Sequence, residues 1–459
     1  MYDYIIVGGG PTGMTLALYL QKKYKVLVID REKTLGGCHR VRRTDEGLFT
    51  EHGPRIYIDR YLTMQKVMAD MNMKWEDYFV PYDFEFTGIG FNTLTKVFTL
   101  WETIQIILEF LRFVVYPQYS QNTTVKEWSS NMTKKTQNYL DRICRLTDGA
   151  GSNRYTLYEF LQLFNQNALY NTYQPNKPMD EGLIKDWESH LSKTQFMMNS
   201  TVERMDDNGV YVNGELIEGR NVIFAVPPVN LKNILHKSGI YDEKFSDWAN
   251  ESDYITYIPY TLHFKKGIQM DKITSVGGEH FSYRAVHDKK KIWGLTENTP
   301  WGLVFINLDS YMNNGVLSLA ITKPKELGFN NKTTDECSKE EMEEEMMYQL
   351  RTVLPNINPD KIILSPGVYK DDYGLWKTKD TAFVLTKEGY YSHTKFTHLG
   401  PHDGSSSYVF TSMESAIESA VSYLNKYGHT YIPIERGWEV KDIILILIFV
   451  YILVSFFWR

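Results

Sequence analysis

Residues 4–40 read YIIVGGGPTGMTLALYLQKKYKVLVIDREKTLGGCHR and decide the fold of the chain. Their first four residues form a short apolar, β-branched run, which predicts a buried parallel strand. Gly8, Gly10 and Gly13 then follow in the spacing G-x-G-x-x-G. In this motif the glycines allow a tight turn, a close approach of the backbone to a pyrophosphate, and close packing of a helix on the strand.

A helix and a second strand complete the motif. Pro11 suits the first turn of a helix, where its missing N–H is not needed, and residues 14–20 supply an apolar helix face. Residues 25–29 form a second apolar run that ends at Asp30, about twenty residues past the glycines, where a carboxylate can bind ribose hydroxyls. The order of strand, loop, helix, strand and acid predicts a Rossmann-like unit that binds a dinucleotide at the helix N-terminus.

Two glycine turns come soon after this acid and bear on which dinucleotide is bound. Residues 35–40 read LGGCHR and residues 51–55 read EHGPR. This order of motifs resembles the FAD-dependent amine oxidase superfamily, which includes monoamine oxidases, protoporphyrinogen oxidase and phytoene desaturases. The resemblance implies that the paired glycines Gly36 and Gly37 pass under the ribityl-phosphate arm of FAD and that the turn at Gly53 touches the flavin ring. We therefore expect FAD rather than NAD.

Two later blocks extend the resemblance. Residues 195–226 predict strands joined by glycine turns, and the family places a backbone contact to the adenine at the position of Val202. Residues 412–419 read SMESAIES and match the start of a helix whose N-terminus points at the flavin pyrimidine oxygen in that family. The resemblance therefore places Met413 beside the flavin.

The expected cofactor-binding residues all lie in these blocks. They are Gly8, Gly10, Pro11, Thr12, Gly13, Asp30, Arg31, Gly36, Gly37, Arg40, Gly53, Pro54, Arg55, Val202, Ser412 and Met413. The sequence assigns no catalytic residue, and no Ser-His-Asp, metal-ligand or paired-carboxylate pattern competes with a flavin. Many amine oxidases carry a lysine on the strand that corresponds to residues 254–264, and residues 255–264 contain none.

Composition excludes several classes of protein. The net charge of −6 gives a nucleic-acid partner no electrostatic support. Three cysteines, Cys38, Cys144 and Cys337, provide neither a disulfide framework nor metal-ligand spacing and suggest a reducing compartment. Because Met1 stands at the start of the first predicted strand, we expect no signal peptide. With Cys38 beside the phosphate arm and no cysteine near the third block, we expect noncovalent FAD.

Two apolar stretches bear on membrane contact. Residues 94–116 are strongly apolar, but Glu102, Glu109 and Arg112 interrupt them, which favours a buried or half-buried helix. An interfacial helix that receives an apolar substrate from a bilayer is the alternative. Residues 443–458 carry no charge and predict a single-pass C-terminal anchor, with a buried core helix as the alternative. The catalytic body would then face the cytosol.

We expect an α/β protein with a discontinuous Rossmann-like FAD-binding domain, an inserted α+β substrate domain and a C-terminal transmembrane helix. The bounds are 1–75, 195–253 and 385–436 for the FAD-binding domain, 76–194 and 254–384 for the substrate domain, and 441–459 for the anchor.

The resemblance implies an FAD-dependent oxidoreductase that takes a hydride from an unidentified small molecule, apolar or an amine, and the uncharged stretch 443–458 implies that it is anchored in a membrane. Two alternatives stay open. Residues 51–57 also resemble the flavin-edge segment of UDP-galactopyranose mutases, in which reduced flavin attacks a nucleotide sugar. A non-catalytic, flavin-bearing membrane protein is the other.

Overall fold

The first strand lies in the middle of a seven-stranded sheet. The computed structural model describes all residues except 54, 83–84, 87–96, 253–256, 269–291, 297–298, 314, 381–384, 392–395, 410 and 458–459. Within this sheet Tyr2–Val7 pairs in parallel with Val26–Ile29 on one side and with Glu215–Phe224 on the other. The spatial order is Val202–Asp206, Gly209–Val212, Glu215–Phe224, Tyr2–Val7, Val26–Ile29 and Gln195–Met197, with Thr397–His398 beside the third of these.

Helices cover both faces of this first sheet. The predicted helix of the glycine motif is Pro11–Leu20, begins with proline and is buried along its whole length. It packs on one face together with Met413–Lys426, Leu62–Asp70 and Leu183–Ser189, while Pro228–Lys237 and Glu243–Ser252 pack on the other. Parallel strands at the centre of a sheet need apolar cover on both faces, which explains the apolar runs at residues 4–7 and 26–29. The α/β Rossmann-like architecture predicted from residues 4–40 is confirmed.

A second sheet of six strands forms the other half of the molecule. Its spatial order is Lys361–Leu364, Ile258–His263, Val316–Ile321, Leu303–Asn307, Ile292–Leu295 and Glu85–Phe86. All neighbours are antiparallel except the last pair. Lys339–Arg351 packs on this sheet, and its N-terminus has the predicted capping box at Ser338.

The remaining elements connect or flank the two sheets. Small sheets pair Arg42–Arg43 with Phe49–Thr50, Val368–Lys370 with Trp376–Thr378, and Tyr57–Ile58 and Phe79–Pro81 with Thr172–Pro175. The other α-helices are Leu100–Val115, Val125–Trp128, Lys134–Asp148, Leu157–Asn167, Asp309–Met312 and Val440–Phe457. Short 3-10 helices are Gly37–His39, Trp75–Asp77, Pro117–Asn122 and Ser129–Asn131. The first sheet thus takes its strands from three separate parts of the chain, whereas the predicted domain bounds stay a prediction.

The helix formed by the apolar stretch 94–116 is buried on one side only. Its described part forms the helix Leu100–Val115, called the exposed helix below. Phe113 packs inward, but most of the large apolar side chains on this helix face solvent. The helix is therefore half-buried, one of the two expected forms, because only one side has neighbours to pack against.

The C-terminal stretch forms the helix Val440–Phe457, called the tail helix below. Among the described residues, no helix combines the length and apolar character required of a membrane span. Eighteen residues correspond to about 27 Å at ~1.5 Å per residue, less than a hydrocarbon core of ~30 Å, and Lys441 and Asp442 occupy the first turn. The prediction of a transmembrane anchor is therefore not supported.

Candidate functional site

One elongated cavity of about 510 Å³ runs from the glycine motif to the second sheet. It is lined on one side by the segments that follow the first-sheet strands and by the start of the helix Met413–Lys426, called the ring-end helix below. Its far end is lined by residues of the second sheet and of the helix Lys134–Asp148, namely Arg145, Leu146, Thr147, Gly149, Tyr257, Val304, Ala320 and Thr322. The cavity therefore joins the two halves of the molecule.

The glycine loop has room only for backbone at two of its motif positions. A Cβ on Gly8, whose φ is +110°, would lie 2.3 Å from the carbonyl oxygen of Ala225. A Cβ on Gly13 would lie 2.0 Å from the carbonyl oxygen of Gly8. At Gly10, by contrast, a Cβ would approach only Gly37, at 3.6 Å. The space beside Gly10 therefore belongs to the cavity, and peptide groups can approach a bound ligand there.

Asp30 both lines the cavity and holds the loop. Its carboxylate accepts hydrogen bonds from the backbone N–H of Gly9 at 2.7 Å and of Glu32 at 2.8 Å. Arg40 adds an ion pair at 3.4 Å. The sequence motif predicts the position of this acid, and its contacts show that it also fixes the loop geometry.

A buried ion network supports this wall of the cavity. Arg42 donates two hydrogen bonds to Asp380, at 2.9 and 3.0 Å, and one to Glu32 at 2.7 Å. Burial alone would raise the pKa of Asp380, but hydrogen bonding and charge from Arg42, with His52 and Arg40, lower it. Asp380 lies 338 positions from Arg42 in sequence, so no local pattern predicted the pair.

The ring-end helix directs its N-terminus toward the cavity. Residues 411–413 line the cavity, and the Ser412 hydroxyl accepts a hydrogen bond from the N–H of Ser415 at 3.1 Å. Thr12 in the glycine loop donates to the carbonyl of Ala416 at 2.8 Å, which fixes the helix against the loop. The partial positive charge of a helix N-terminus therefore acts on the cavity.

Glu414, in the first turn of this helix, points away from the cavity. It accepts hydrogen bonds from the N–H groups of Thr63 and Met64, both at 2.8 Å, and so joins the ring-end helix to Leu62–Asp70. Burial, assisted by Glu418, raises the pKa of Glu414 to about 8. These contacts indicate that Glu414 has a structural role in joining the two helices.

Arg55 and two histidines, His39 and His52, also line the cavity. The Arg55 guanidinium bonds the Nδ1 of His39 at 3.1 Å and the carbonyl of Cys38. Neither ring nitrogen of His52 has a hydrogen-bond partner among the described residues, and its ring centroid lies 4.8 Å from that of Tyr257. Burial lowers the pKa of His52 to about 4, so it stays neutral near pH 7. His52 was not among the predicted site residues.

Most predicted site residues line this one cavity. They are Gly8, Gly10, Pro11, Thr12, Asp30, Arg31, Gly37, Arg40, Arg55, Val202, Ser412 and Met413. Gly13, Gly36 and Gly53 do not line it. Gly13 packs against the loop, Gly36 makes a turn with φ of +110°, and Gly53 lies against the Tyr257 ring. Residue 54, the predicted proline, lies outside the described residues. Within the described part of the chain, no group of three or more potential ligands could hold a metal ion.

Comparisons with known proteins address the fold. The profile of the NAD(P)-binding Rossmann-like domain matches residues 6–71. A search of curated protein sequences found no match. Among solved structures, putrescine oxidase bound to putrescine is similar with a TM-score of 0.65 and 14% identity, over 94% of this chain and 99% of that one.

Two further structures have the same overall arrangement. Cyclohexylamine oxidase from Brevibacterium oxydans IH-35A has a TM-score of 0.62 at 12% identity, over 93% of this chain and 98% of that one. An oxidoreductase from Methanosarcina mazei has a TM-score of 0.59 at 12% identity, over 92% and 99%. Sequence identities this low support a shared fold and nothing further. The chain thus shares the fold of putrescine oxidase and cyclohexylamine oxidase, and its residues 6–71 match the Rossmann-like domain.

Proposed function

We propose that this chain is an FAD-dependent oxidoreductase acting on a small molecule. The observation that carries the proposal is the single cavity that joins the Gly8–Gly10 loop, the Gly37 turn and the N-terminus of the ring-end helix. A cavity that bound only NAD would require neither the Gly37 turn nor the N-terminus of the ring-end helix. The amine oxidases with the same fold support the assignment.

The cavity offers matching groups for each part of FAD. Backbone at Gly10, where a Cβ would enter open space, suits the diphosphate at the N-terminus of Pro11–Leu20. Asp30 lies where it can meet a ribose, and Val202 lies where the resemblance expects the adenine. Arg55 and residues 411–413 enclose the opposite part of the cavity, which suits the flavin ring. The donor set therefore fits this cofactor.

When bound, FAD supplies the chemistry of the reaction by accepting a hydride from the substrate and passing electrons to oxygen or another acceptor. The protein holds and orients the reactants. The ring-end helix presents a partial positive charge where negative charge would develop on the reduced ring. Tyr257 and Thr147 line the end of the cavity at which a substrate would stand.

The charge at the substrate end of the cavity favours a neutral or anionic substrate over a cationic amine. Arg145 lines it, paired with Asp141 at 2.8 Å, and the half-buried Arg55 also lines the cavity. None of the described side chains that line this end is a carboxylate. The same charge favours a second candidate, a mutase of the UDP-galactopyranose type, because a nucleotide sugar carries an anionic diphosphate.

The test begins with the absorption spectrum of the purified full-length chain, which we expect to be that of an oxidised flavin. Amines, isoprenoids and UDP-sugars are then added without oxygen. Bleaching by one of them and recovery of colour with an acceptor identify an oxidoreductase. Turnover of a UDP-sugar only after dithionite reduction identifies the mutase. A chain that binds no FAD even on reconstitution contradicts both, and a flavin that no reductant bleaches indicates the non-catalytic alternative.

We expect the flavin to be noncovalently bound. Cys38 lines the cavity, but burial, with Asp380 adding, raises the pKa of its thiol to about 11 and keeps it protonated near pH 7. Acid denaturation and filtration should release all of the yellow colour from the wild-type chain. Colour that stays with the protein, and is released from a Cys38→Ala variant, would contradict this prediction.

A further inference from the structure

Seven large apolar side chains of the exposed helix face solvent. They are Leu100, Trp101, Ile104, Ile107, Leu108, Leu111 and Val115. Their spacing follows the helical repeat, so they form one stripe along the helix. Phe113 on the other side is buried, which shows that the helix packs with its apolar stripe outward. A continuous stripe of this kind marks an interaction surface.

The packing of the helix holds this stripe outward. Thr99 caps the N-terminus through a capping box with Glu102. The buried Glu102 carboxylate also accepts a hydrogen bond from the N–H of Thr133 at 2.6 Å, at the start of the next long helix. The first turn is therefore fixed to the body of the protein, and rotation to bury the stripe would break these bonds.

The apolar surface extends beyond this helix. Leu157–Asn167 contacts both the exposed helix and the tail helix, and its Phe164 is itself exposed. After its first turn the tail helix exposes only uncharged side chains among those described: Ile443, Leu445, Ile446, Leu447, Ile448, Phe449, Val450, Tyr451 and Val454. Trp101, Tyr116 and Trp438 are exposed within or beside this surface. Aromatic residues at the margin of an apolar surface are typical of contact with the membrane–water interface.

We propose that this chain lies on a lipid bilayer through the stripe of the exposed helix, with that helix in the plane of the interface. A helix in this orientation buries its apolar face roughly 5–10 Å into the boundary between headgroups and acyl chains. The tail helix supports a lipid partner over a protein partner, because it exposes apolar side chains around its circumference and a protein would cover one side only. This surface is separate from the cofactor cavity, and the proposal does not depend on the proposed reaction.

The test is co-flotation of the full-length chain with phosphatidylcholine vesicles. We expect wild type to float with the vesicles. Leu108→Glu should bind about tenfold more weakly or worse, because a carboxylate replaces an isobutyl group that the proposed bilayer contact would bury. Leu327→Glu is the matched control, since Leu327 is exposed to 56% and Leu108 to 57% but Leu327 lies outside this surface. Leu327→Glu should bind vesicles as wild type does. Thermal unfolding of each variant shows that it is folded.

Three outcomes would overturn the proposal. The first is a wild-type chain that does not float. The second is loss of flotation in Leu447→Glu, on the tail helix, together with full flotation of Leu108→Glu, which would assign binding to the tail helix alone. The third is a wild-type dimer in lipid-free buffer that Leu108→Glu converts to a monomer without changing flotation, which would make the stripe an interface between copies. Addition of phosphatidylserine should strengthen binding only modestly, since the stripe itself is uncharged.

Discussion

Replacing Gly10 with aspartate should leave the chain folded but colourless. A Cβ at Gly10 meets only Gly37, at 3.6 Å, and the residue has φ of −79°, so the backbone accepts a side chain. The added carboxylate would occupy the space of the proposed FAD diphosphate and repel its charge. We expect FAD affinity to fall by about 100-fold or more, equivalent to ~2.7 kcal/mol, measured by reconstitution of the apoprotein and flavin fluorescence.

Two variants separate loss of the ligand from loss of the fold. Gly10→Ala adds only a methyl group and should keep FAD within about tenfold of the wild-type affinity. Gly8→Ala should instead lower the thermal unfolding temperature, because its Cβ would lie 2.3 Å from the Ala225 carbonyl oxygen. Wild-type FAD content in purified Gly10→Asp would show that the dinucleotide lies elsewhere.

Replacing Asp380 with asparagine should destabilise the cavity wall. It removes the charge of one of the two carboxylates that pair with Arg42, whose side chain is 11% exposed, and leaves Glu32 as the remaining ion-pair partner. Removing the sole partner of a buried charge costs about 3–5 kcal/mol, and Glu32 reduces this cost because it still pairs with Arg42. We expect a loss of about 2–3 kcal/mol in the free energy of unfolding, measured by urea denaturation of the apoprotein.

Asp180→Asn is the control for this change. Asp180 also accepts two hydrogen bonds from one arginine, Arg43, but both side chains are about one-third exposed. Exposed pairs contribute about 0–1 kcal/mol, so this variant should unfold nearly as wild type does. Equal losses in the two variants would show that the buried network does not stabilise the fold.

The loss of unfolding free energy in Asp380→Asn should also depend on pH. The folded-state pKa of Asp380 is lowered, so its contribution is present above its unfolded pKa of about 3.8 and is lost as pH falls through the folded pKa. The deficit of Asp380→Asn relative to wild type should therefore be full at pH 6 and shrink below pH 4. A deficit that grows in acid would contradict the assigned direction.

The sequence predicted the dinucleotide half of the site because that half is built from local signals. The glycine spacing, Asp30 and the helix start at Ser412 each depend on a few neighbouring residues, and the structure places Gly8, Gly10, Asp30 and Ser412 on one cavity. Their roles toward a cofactor stay predictions. The fold class followed from the same stretch, since a strand–helix–strand unit requires a covered parallel sheet.

The other half of the site could not be predicted, because it depends on contacts between distant residues. Asp380 meets Arg42 across 338 positions, and the position of His52 against Tyr257 follows from the packing of the two halves of the molecule. The solvent exposure of the apolar stripe on the exposed helix could not be predicted for a related reason. An apolar stripe shows that a helix has a face to cover, but only the fold shows whether the chain itself covers it.

The bond between Thr12 and Ala416 spans 404 positions, so the first and last parts of the proposed FAD site can meet only after residue 416 has been synthesised. A growing polypeptide on the ribosome can therefore fold its opening strands long before it can retain a flavin. Nascent chains arrested before residue 426 should expose an open nucleotide groove, and only chains extended beyond that residue should capture the cofactor.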